Sequence, residues 1–440
     1  MENNISHSEN LIKKIETKKA KIGIIGMGYV GLPLAVEFAK AGFHILGVDL
    51  SKYKIRLLKK GKTYITDVED KEVKKYVIQD KRISVSTSFT ILKKADAVCI
   101  TVPTPLKKTK DPDISFIASA VVELKKNFHP GILVVLESTT YPGTTRELIV
   151  AEIEKLGYVC GKDFFAAYSP ERVDPGNPMF FTKNIPKVLG GVTKTCSRIA
   201  LKLYSSFLEN IHVVNTVEEA EMSKLLENTF RSVNIGLVNE MAIMCDRMGI
   251  NIWNVIDAAS TKPFGFMPFY PGPGIGGHCI PLDPLYLSYR AKMYNFYNRF
   301  IELATDINGN MPRFVLNKLS EFLNKSKKPI NGSKILLLGM AYKPDVNDIR
   351  ESPSLEIYKL LLAEKAKVDY YDPLISEFSE GGKTVKSISL KPKIIRKYDC
   401  VIIMTAHNDV NYDLILKNAK LIYDTRNVFK GVKSEKVKKL

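Results

Sequence analysis

The arrangement in this sequence most suited to covalent chemistry is a cysteine placed directly behind two glycines. The segment runs Gly276-Gly277-His278-Cys279-Ile280-Pro281-Leu282-Asp283. Glycines allow a backbone to close tightly around a ligand, so the thiol that follows them is expected to face a bound ligand and not the protein core. A cysteine thiolate can attack a carbonyl carbon and hold the substrate covalently. Cys279 is therefore the predicted nucleophile. The neighbouring His278 is a candidate for the base that deprotonates this thiol, but the side chains of adjacent residues usually point apart.

A lysine and an asparagine four residues apart offer polar groups of a different kind. Lys224 and Asn228 lie in Glu221-Met222-Ser223-Lys224-Leu225-Leu226-Glu227-Asn228, within a stretch whose apolar residues recur at helical spacing. Residues four apart share one face of a helix. An ammonium and an amide on one face can hold an oxyanion or an ordered water. A solvated helix face is the alternative interpretation of the same pair.

A glycine-rich turn between two strands predicts a dinucleotide site. A strand over 22–25 leads into Gly26-Met27-Gly28-Tyr29-Val30-Gly31, a helix over 32–41 follows, and the next strand ends at Asp49. In such a unit the glycines let a pyrophosphate reach the backbone and the helix N-terminus, and the acid binds the adenosine ribose. A carboxylate there repels a 2′-phosphate, so NAD is favoured over NADP. A glycine turn without a ligand is the alternative.

Two hydroxyl-rich segments lie where later strands end. Thr101-Val102-Pro103-Thr104-Pro105 ends the strand predicted over 97–101, and Glu137-Ser138-Thr139-Thr140-Tyr141-Pro142-Gly143 follows the strand predicted over 132–136. In an open α/β sheet the carboxyl ends of the strands face the ligand crevice. These hydroxyls are expected to bind a nicotinamide ribose or a substrate hydroxyl. Ordinary loop capping would use the same residue types.

Strands that alternate with helices predict a parallel, doubly wound α/β domain around these turns. One long helix is predicted from Val217 past Arg247, and a second from Asp283 through Ile307. After Pro329 the strand alternation returns at 334–339, 367–372, 400–404 and 421–424. This second α/β domain lacks a complete glycine fingerprint and is not expected to bind a dinucleotide in the usual way. The predicted limits are 1–20 for a helical lead-in, 21–210 for the NAD-binding domain, 211–312 for a central helical domain and 313–440 for the second α/β domain.

Composition narrows the class of function. The chain has 440 residues, 45% of them hydrophobic, and a formal net charge of +18. Its lysines are scattered and not interleaved with aromatics, so small anionic ligands are a better match than nucleic acid. The six cysteines have no CxxC spacing, which argues against a zinc or dithiol motif. Cys99 and Cys400 lie in apolar strands and are expected in the core. No metal, signal peptide or membrane span is expected, and a cytoplasmic protein is predicted.

Six ordered motifs, spread over nearly the whole chain, resemble those of the UDP-glucose/GDP-mannose dehydrogenase family. Beside the glycine turn through Pro33, the helix 221–228 and the Gly276–Asp283 segment, they are Val102-Pro103-Thr104-Pro105, Tyr168-Ser169-Pro170-Glu171-Arg172, and Tyr342-Lys343 with Arg350-Glu351-Ser352. The resemblance implies an enzyme that oxidises a sugar C6 hydroxyl to a carboxylate in two hydride transfers to NAD⁺. It also implies that the second α/β domain holds UDP and that the central helices form a homodimer or a larger assembly.

The resemblance implies roles that the chemistry of these side chains also supports. Lys224, Asp283 and an ordered water would assist deprotonation of the C6 hydroxyl, and Thr139 and Asn228 would position that water. Cys279 would attack the resulting aldehyde and form a thiohemiacetal, which can lose a second hydride. Lys224 and Asn228 would stabilise the developing oxyanion. A non-catalytic NAD-sensing protein is the alternative class, and it predicts a degenerate site.

The same resemblance assigns the hydrolytic and binding residues. Water activated by Glu171 or Asp283 would hydrolyse the thioester. Lys54 would flank the adenosine ribose, and Arg350 would contact the cofactor pyrophosphate. The expected cofactor-binding residues are Gly26, Gly28, Tyr29, Val30, Gly31, Asp49, Lys54, Pro103, Thr104, Ser138, Thr139 and Arg350. The expected substrate-binding residues are Glu171, Arg172, Lys224, Asn228, Tyr270, Gly272, Gly274, Gly276, Lys343 and Arg426.

Two segments bear on which sugar is used. UDP-glucose enzymes of the family carry an arginine in the loop before the catalytic cysteine, where this chain has Thr261-Lys262-Pro263-Phe264-Gly265-Phe266-Met267-Pro268. The segment Tyr168–Asn177 likewise stands in place of their Glu-Phe-Leu pattern. Both segments resemble UDP-N-acetylhexosamine 6-dehydrogenases, and losing a long side chain near C2 leaves room for an acetamido group. UDP-N-acetyl-D-glucosamine is the predicted substrate, for surface polysaccharide synthesis. UDP-N-acetyl-D-mannosamine and UDP-glucose are the alternatives.

Overall fold

Each of the two units of this chain is built on its own β-sheet. The structure is a computed structural model and describes residues 6–65, 67–173, 179 and 183–440. The first unit extends to Glu227 and includes Leu285–Asn295; the second consists of Asn228–Pro284 and Phe296–Leu440. Residues 1–5 of the predicted lead-in and Asp174–Asn177 of the Tyr168–Asn177 segment lie outside the described residues. The predicted domain limits stay predictions.

The sheet of the first unit has the strand order of a dinucleotide-binding fold. Its strands pair in the order β3-β2-β1-β4-β5-β6-β7-β8, and all pairs are parallel except β6 with β7. The order 3-2-1-4-5-6 is typical of doubly wound sheets that bind dinucleotides. The strands are β1 (Lys21–Ile25), β2 (His44–Val48), β3 (Ile83–Ser86), β4 (Ala97–Ile100), β5 (Leu133–Leu136), β6 (Phe165–Tyr168), β7 (Lys187–Gly191) and β8 (Ile211–Val213).

The sheet of the second unit is smaller and wholly parallel. Its strand order is β10-β9-β13-β14-β15. Strands β11 and β12, which follow β10 in the sequence, form a separate antiparallel hairpin. The strands are β9 (Lys334–Leu338), β10 (Lys367–Tyr371), β11 (Glu377–Glu380), β12 (Lys383–Lys386), β13 (Cys400–Ile403), β14 (Ile422–Asp424) and β15 (Val437–Lys439). Both β4 and β13 are buried along their whole length because helices cover both faces of a parallel sheet.

Helices connect the strands, and several begin at a side-chain cap. Ser51 accepts the backbone N–H of Lys54, and Thr193 accepts that of Cys196, which satisfies donors in the first turn of α3 and α7. The α-helices are α1 (His7–Glu16), α2 (Gly31–Lys40), α3 (Lys52–Lys59), α4 (Asp70–Val73), α5 (Ser115–Lys126), α6 (Ala151–Glu154), α7 (Lys194–Tyr204), α8 (Val217–Met248), α9 (Ile252–Ala259), α10 (Asp283–Lys292), α11 (Arg299–Lys325), α12 (Pro353–Ala363), α13 (Pro392–Ile395) and α14 (Tyr412–Asn418). The π-helical segments Lys74–Gln79 and Thr145–Val150 and the 3₁₀-helical segment Phe89–Lys94 add to these.

The predicted α/β fold class and the long helix from Val217 are confirmed, and one prediction about a helix is wrong. The helix predicted from Asp283 through Ile307 is two helices, α10 and α11, because the chain turns at Asn295, whose φ is +55°. The first sheet is parallel as predicted except at β7, which pairs antiparallel with β6. Seven of the described strands were not predicted: β3, β6, β7, β8, β11, β12 and β15. In the described part of the chain, every helix is too short or too polar to cross a membrane.

A buried ion pair lies inside the first unit, directly beneath two of its loops. The ammonium of Lys187 contacts a carboxylate oxygen of Glu137 at 2.7 Å, and both side chains are buried. Lys187 also donates to the carbonyl of Pro170, and the hydroxyl of Tyr204 donates to Glu137. Glu137 immediately precedes Ser138, and Pro170 immediately precedes Glu171. This pair therefore connects the two segments that carry predicted site residues.

Replacing Lys187 by methionine is expected to destabilise the first unit by about 3–5 kcal/mol, since it leaves the Glu137 carboxylate buried without its counter-charge. Urea unfolding of the full chain, followed by fluorescence, measures the loss. Lys108→Met, at an exposed position, is the control and should have almost no effect. A loss below about 1 kcal/mol for Lys187→Met would show that water or a rearranged neighbour compensates the carboxylate.

Candidate functional site

The glycine turn after β1 has the backbone geometry of a phosphate cradle. Gly26 has φ +96°, a conformation that side chains rarely adopt. A Cβ added at Gly31 would lie 1.8 Å from the carbonyl oxygen of Gly26, so this glycine permits the turn to pack on α2. A Cβ added at Gly28 would meet no atom within 4 Å. The first and third glycines therefore serve packing, and the second leaves open space where a pyrophosphate fits.

Asp49, at the end of β2, supports this turn. Its carboxylate accepts the backbone N–H groups of Met27 (3.0 Å) and Ser51 (2.8 Å) and pairs with the ammonium of Lys54 (3.0 Å). The hydroxyl of Tyr64 donates to the carbonyl of Met27 on the same turn. Asp49 remains half-buried, so its carboxylate both shapes the turn and stays near the surface. Tyr29 is exposed and Val30 is half-buried at the start of α2.

The hydroxyl residues at the next strand ends bind backbone in the structure. Thr101 donates to the carbonyl of Gly26 (2.6 Å), and Ser138 donates to that of Val102 (2.7 Å). The carbonyl of buried Thr104 accepts the hydroxyl of Tyr286 (2.7 Å). The loop-capping alternative thus describes Thr101 and Ser138. Pro103 is exposed and Thr139 is half-buried beside them, and their ligand contacts stay predictions.

Glu221, at the start of the lysine–asparagine motif, holds the loop that follows Thr139. Its buried carboxylate accepts the backbone N–H groups of Gly143 and Thr145 and the hydroxyl of Thr145, at 2.6–2.8 Å. These donors open the helical segment Thr145–Val150. Glu221 therefore caps a helix from another part of the chain. Lys224, one turn further along α8, is buried.

The side chains of Glu171 and Arg172 bond to different parts of the first unit, Glu171 to the backbone that follows it and Arg172 to α8. One carboxylate oxygen of Glu171 accepts the backbone N–H groups of Arg172 (2.8 Å) and Val173 (2.9 Å). The guanidinium of Arg172 pairs with Glu227 (2.7 Å) and donates to the carbonyl of Pro186. Arg172 thus ties this segment to α8, which gives it a supporting role even where it was predicted to contact substrate.

In the second unit, Cys279 lies one turn before helix α10. Its carbonyl accepts the backbone N–H of Asp283 (2.8 Å), and its side chain is exposed, as predicted for a presented thiol. The amide nitrogen of Asn228 donates to the buried carboxylate of Asp283, and Arg231 donates to the amide oxygen of Asn228. Hydrogen bonds therefore link the guanidinium of Arg231, the amide of Asn228 and the carboxylate of Asp283 next to the segment that carries the thiol.

The glycines before Cys279 pack against protein. A Cβ added at Gly276 would lie 2.7 Å from the Cβ of Tyr342, and one added at Gly277 would lie 2.8 Å from the Tyr342 ring. The backbone N–H of Gly277, whose φ is +84°, donates to the carbonyl of Arg350 (3.0 Å). Burial lowers the pKa of His278, and the positive charge of Arg350 adds to this effect. The glycine pair thus fixes the thiol segment to the turn that begins at Gly339.

Two buried asparagines hold the loop 269–276, which carries the predicted substrate-binding residues Tyr270, Gly272, Gly274 and Gly276. Gly272 donates its N–H to the side chain of Asn239 (3.0 Å), which in turn donates to Asn308 (2.9 Å). A Cβ at Gly272 would lie 2.5 Å from the guanidinium of Arg426. Burial lowers the pKa of Arg426 to about 10, so this guanidinium stays charged at neutral pH. Neither asparagine was predicted from the sequence.

Two further residues of this loop differ in their surroundings. The exposed ring of Tyr270 stacks on Trp253, with the two rings inclined by 15°. Gly274 has φ +132°, and an added Cβ would lie 3.2 Å from Pro353. Tyr270 is thus placed by an aromatic neighbour, whereas Gly274 is required by backbone conformation and close packing.

The turn that carries Lys343 is shaped by a buried histidine–aspartate pair. Asp372 accepts the backbone N–H groups of Met340 (2.7 Å) and Ala341 (3.0 Å) and contacts Nε2 of His407 (3.1 Å). Nδ1 of His407 accepts the backbone N–H of Asp345 (3.1 Å). Burial opposes ionisation, but these hydrogen bonds lower the pKa of Asp372 to about 2.

Within each unit the structure brings part of the predicted set together. Gly26, Asp49 and Lys54 meet in the first unit, and Cys279, Asp283 and Asn228 meet in the second. The half-buried Lys343 lies on the turn that contacts Gly276. Arg350 is exposed and pairs with Asp348 (2.6 Å), and its predicted pyrophosphate contact stays a prediction. Among the residues that the structure describes, no cluster of His, Cys, Asp and Glu has the arrangement of a metal site.

Comparison with known proteins covers the chain in three consecutive parts. Each part matches one domain of the UDP-glucose/GDP-mannose dehydrogenase family. The NAD-binding domain matches residues 20–208, the central domain 218–310 and the UDP-binding domain 336–431.

Individual relatives match over nearly their full length. A UDP-N-acetyl-D-mannosamine dehydrogenase of Methanococcus maripaludis is 35% identical, with 93% of each chain covered. A UDP-N-acetyl-D-glucosamine 6-dehydrogenase of Pseudomonas aeruginosa is 33% identical, with 95% of this chain and 99% of the relative covered. The solved structure of a UDP-D-ManNAc dehydrogenase from Pyrococcus horikoshii is 34% identical, covers 95% of this chain and 98% of its own, and superposes with a TM-score of 0.86.

The cap formed by Glu221 is expected to make stability depend on pH. Burial raises the pKa of this carboxyl from 4.5 to about 7, although the bonds from Thr145 and Gly143 oppose the shift. Between these two values the folded protein holds a proton that the unfolded chain has released. Stability should therefore fall as pH rises through this window, by at most about 1.4 kcal/mol per pH unit.

Glu221→Gln cannot ionise and is expected to remove this slope. Urea unfolding of both proteins between about pH 5 and about pH 7 measures it, with Glu240→Gln, at an exposed position on the same helix, as the matched control. Equal slopes in wild type and Glu221→Gln would contradict the assignment.

Proposed function

The chain belongs to the UDP-glucose/GDP-mannose dehydrogenase family and is an NAD-dependent nucleotide-sugar dehydrogenase, and on this premise we propose that it oxidises C6 of UDP-N-acetyl-D-glucosamine to the uronic acid. The observation that carries the proposal is the exposed thiol of Cys279 one turn before Asp283, whose carboxylate is bonded to Asn228. A nucleophile, a base and an amide donor are the groups that a two-step alcohol oxidation requires.

The first step removes a proton from the C6 hydroxyl as a hydride leaves C6. Asp283 is the proposed base, through an ordered water that Asn228 and Thr139 position, and Lys224 lowers the cost of the alkoxide charge. The bond from Asn228 to Asp283 supports this role because it orients the carboxylate, and Arg231 orients the amide in turn. Gly26, Gly28, Gly31 and Asp49 would hold NAD⁺, and two NAD⁺ bound in turn would each accept one hydride.

The second step needs the thiol. The Cys279 thiolate attacks the aldehyde carbon, and the carbonyl oxygen becomes an oxyanion that Lys224 and Asn228 stabilise. Loss of a second hydride from this thiohemiacetal leaves a thioester. Water then adds to the thioester carbon, with Glu171 or Asp283 taking its proton, and the thiolate leaves. Covalent capture keeps the aldehyde bound between the two oxidations.

The turn from Gly339 to Asp345 and the loop from Phe269 to Gly276 are proposed to bind the nucleotide sugar. The charged groups that support this are Lys343 on the turn and Arg426 beside Gly272. Phosphate oxygens favour such cations, and the glycines of the loop let its backbone approach a ligand. Tyr270 and Gly274 complete the proposed substrate contacts. Arg172 is a further proposed substrate contact, and its ion pair with Glu227 would orient it.

The preference for an N-acetylated sugar over glucose rests on the loop Thr261–Pro268, which is exposed and carries proline near the position where glucose enzymes carry arginine. The choice of the glucosamine epimer rests on the resemblance of Lys262–Phe266 and His278–Pro281 to the UDP-N-acetylglucosamine branch. The Pseudomonas aeruginosa relative, whose name specifies this sugar, supports it over 95% of the chain. The C2 epimer, UDP-N-acetyl-D-mannosamine, is the second candidate. The names of the Methanococcus maripaludis relative and of the Pyrococcus horikoshii structure favour it.

We also propose a homodimer formed through α8 and a cytoplasmic location. Large apolar side chains of α8 are exposed in the single chain, Leu226 at 58%, Leu237 at 52% and Met248 at 61%. A second copy of the chain would cover such a surface. The six cysteines, all present as thiols, suit a reducing compartment. The proposed product serves surface polysaccharide synthesis.

NADH formation with four UDP-sugars tests the substrate. We expect the highest kcat/KM with UDP-N-acetyl-D-glucosamine, then UDP-N-acetyl-D-mannosamine, with UDP-N-acetyl-D-galactosamine and UDP-glucose lower. Two NADH per sugar oxidised is the expected stoichiometry. A preference for UDP-glucose would overturn the acetamido argument, and a preference for the mannosamine epimer would select the second candidate.

Cys279→Ser is expected to lower kcat by about a thousandfold or more, since a hydroxyl is a far weaker nucleophile than a thiolate. The affinity for NAD⁺, measured by calorimetry, should not change because the glycine turn is untouched. Cys160→Ser is the matched control and should keep full activity in reducing buffer. Activity of Cys279→Ser within tenfold of wild type would remove this residue from the mechanism.

A further inference from the structure

Two cysteines far apart in the sequence meet in the first unit, away from Cys279. The sulfur atoms of Cys160 and Cys196 are 3.9 Å apart. Cys160 lies in the turn before β6 and is partly exposed, whereas Cys196 lies in the first turn of α7 and is buried. Their spacing matches no dithiol motif, so the sequence alone did not predict the pair.

The surroundings of Cys196 favour a thiolate. Its sulfur accepts the hydroxyl of Thr193 (3.1 Å) and the backbone N–H of Ala166 (3.4 Å). The first turn of α7, a helix of eleven residues, adds the positive end of its dipole. The hydrogen bond from Cys160 is the largest cause that lowers the pKa of Cys196, and the same bond raises that of Cys160.

We propose that Cys160 and Cys196 form a peroxide-sensitive dithiol site, separate from the catalytic cysteine, that closes to a disulfide. Cys160 is the sulfur that solvent reaches, and Cys196 is the thiolate that resolves it. The pair is therefore arranged as an oxidisable thiol with its resolving partner in contact. The site takes a small peroxide as its oxidant.

The chemistry balances in two steps. The Cys160 thiol passes its proton to the Cys196 thiolate that it contacts, and its sulfur attacks one peroxide oxygen. The O–O bond breaks, the departing hydroxide takes the proton back from Cys196 and leaves as water, and a sulfenic acid remains. The Cys196 thiolate then attacks that sulfur, so the S–S bond forms and the S–O bond breaks. Hydroxide leaves and takes up a proton as a second water. Overall, two thiols are oxidised and one hydrogen peroxide is reduced to two waters.

The disulfide would join both ends of the segment 160–196. That segment contains the strands β6 and β7 and Glu171, the proposed activator of the hydrolytic water. Closing a chain loop lowers the conformational entropy of the unfolded state. The oxidised protein is therefore expected to unfold at a higher temperature than the reduced protein.

Peptide mass mapping of the full chain after treatment with hydrogen peroxide tests the proposal. Thiols that remain are alkylated under denaturing conditions before digestion. The expected product is a cross-linked pair of peptides carrying Cys160 and Cys196, two hydrogens lighter than the reduced peptides. Dithiothreitol should restore both thiols and lower the unfolding temperature again.

Matched serine variants separate this site from other thiols. Cys160→Ser and Cys196→Ser should each abolish the cross-link and the temperature shift, whereas Cys279→Ser and Cys245→Ser should retain both. If Cys196→Ser fails to fold, Cys160→Ser at the more exposed position still decides the test. Oxidation of Cys279 with Cys160 and Cys196 fully alkylated would overturn the proposal, and so would a cross-link between any other two cysteines.

Discussion

A carboxylate at the end of the second strand shapes the ligand turn of each α/β domain. Asp49 accepts the N–H of Met27, and Asp372 accepts those of Met340 and Ala341. Backbone donors in a tight turn need acceptors, and an ionised carboxylate is a strong one. The two carboxylates differ in their exposure and in their other partners. Asp49 is half-buried and forms an ion pair with Lys54, whereas Asp372 is buried and contacts His407 and further backbone donors.

The two turns are variations on one strand–turn unit. Gly26-Met27-Gly28-Tyr29 follows β1, Gly339-Met340-Ala341-Tyr342 follows β9, and both first glycines have φ above +90°. The open glycine at 28 becomes an alanine at 341, and the position of Gly31 becomes Pro344. The second turn thus lacks the glycines that bring a pyrophosphate close to the backbone. It presents Lys343 in place of a small or apolar residue, which suits a phosphate-bearing ligand bound through a side chain.

Local patterns predicted half of the strands of the first sheet, all strands but β15 in the second sheet, the glycine turn and the exposed thiol, because each depends on neighbours in the sequence. The acceptors for the loops could not be found this way. Glu221 caps a helix over seventy residues away, and Asn239 supports Gly272 through a fold that brings separate helices together. The bond from the Ser138 hydroxyl to the carbonyl of Val102 was likewise not predicted, because a hydroxyl at a strand end looks the same in sequence whichever groups it contacts, and its cofactor contact stays a prediction. Such choices depend on tertiary contacts, which spacing does not encode.

The close fit of Gly276 and Gly277 against Tyr342 has a consequence for protein engineering and for divergence among relatives. No side chain can be added at either glycine without displacing the tyrosine or the backbone beside it. The segment bearing the thiol and the turn bearing Lys343 therefore pack as one piece, though more than sixty residues separate them in the chain. A chimera of two relatives joined at residue 313 would take the glycines from one parent and the tyrosine from the other. The two parents would then have to be compatible at the contact between this ring and the glycines. Recombination that exchanges both pieces together should yield working hybrids far more often.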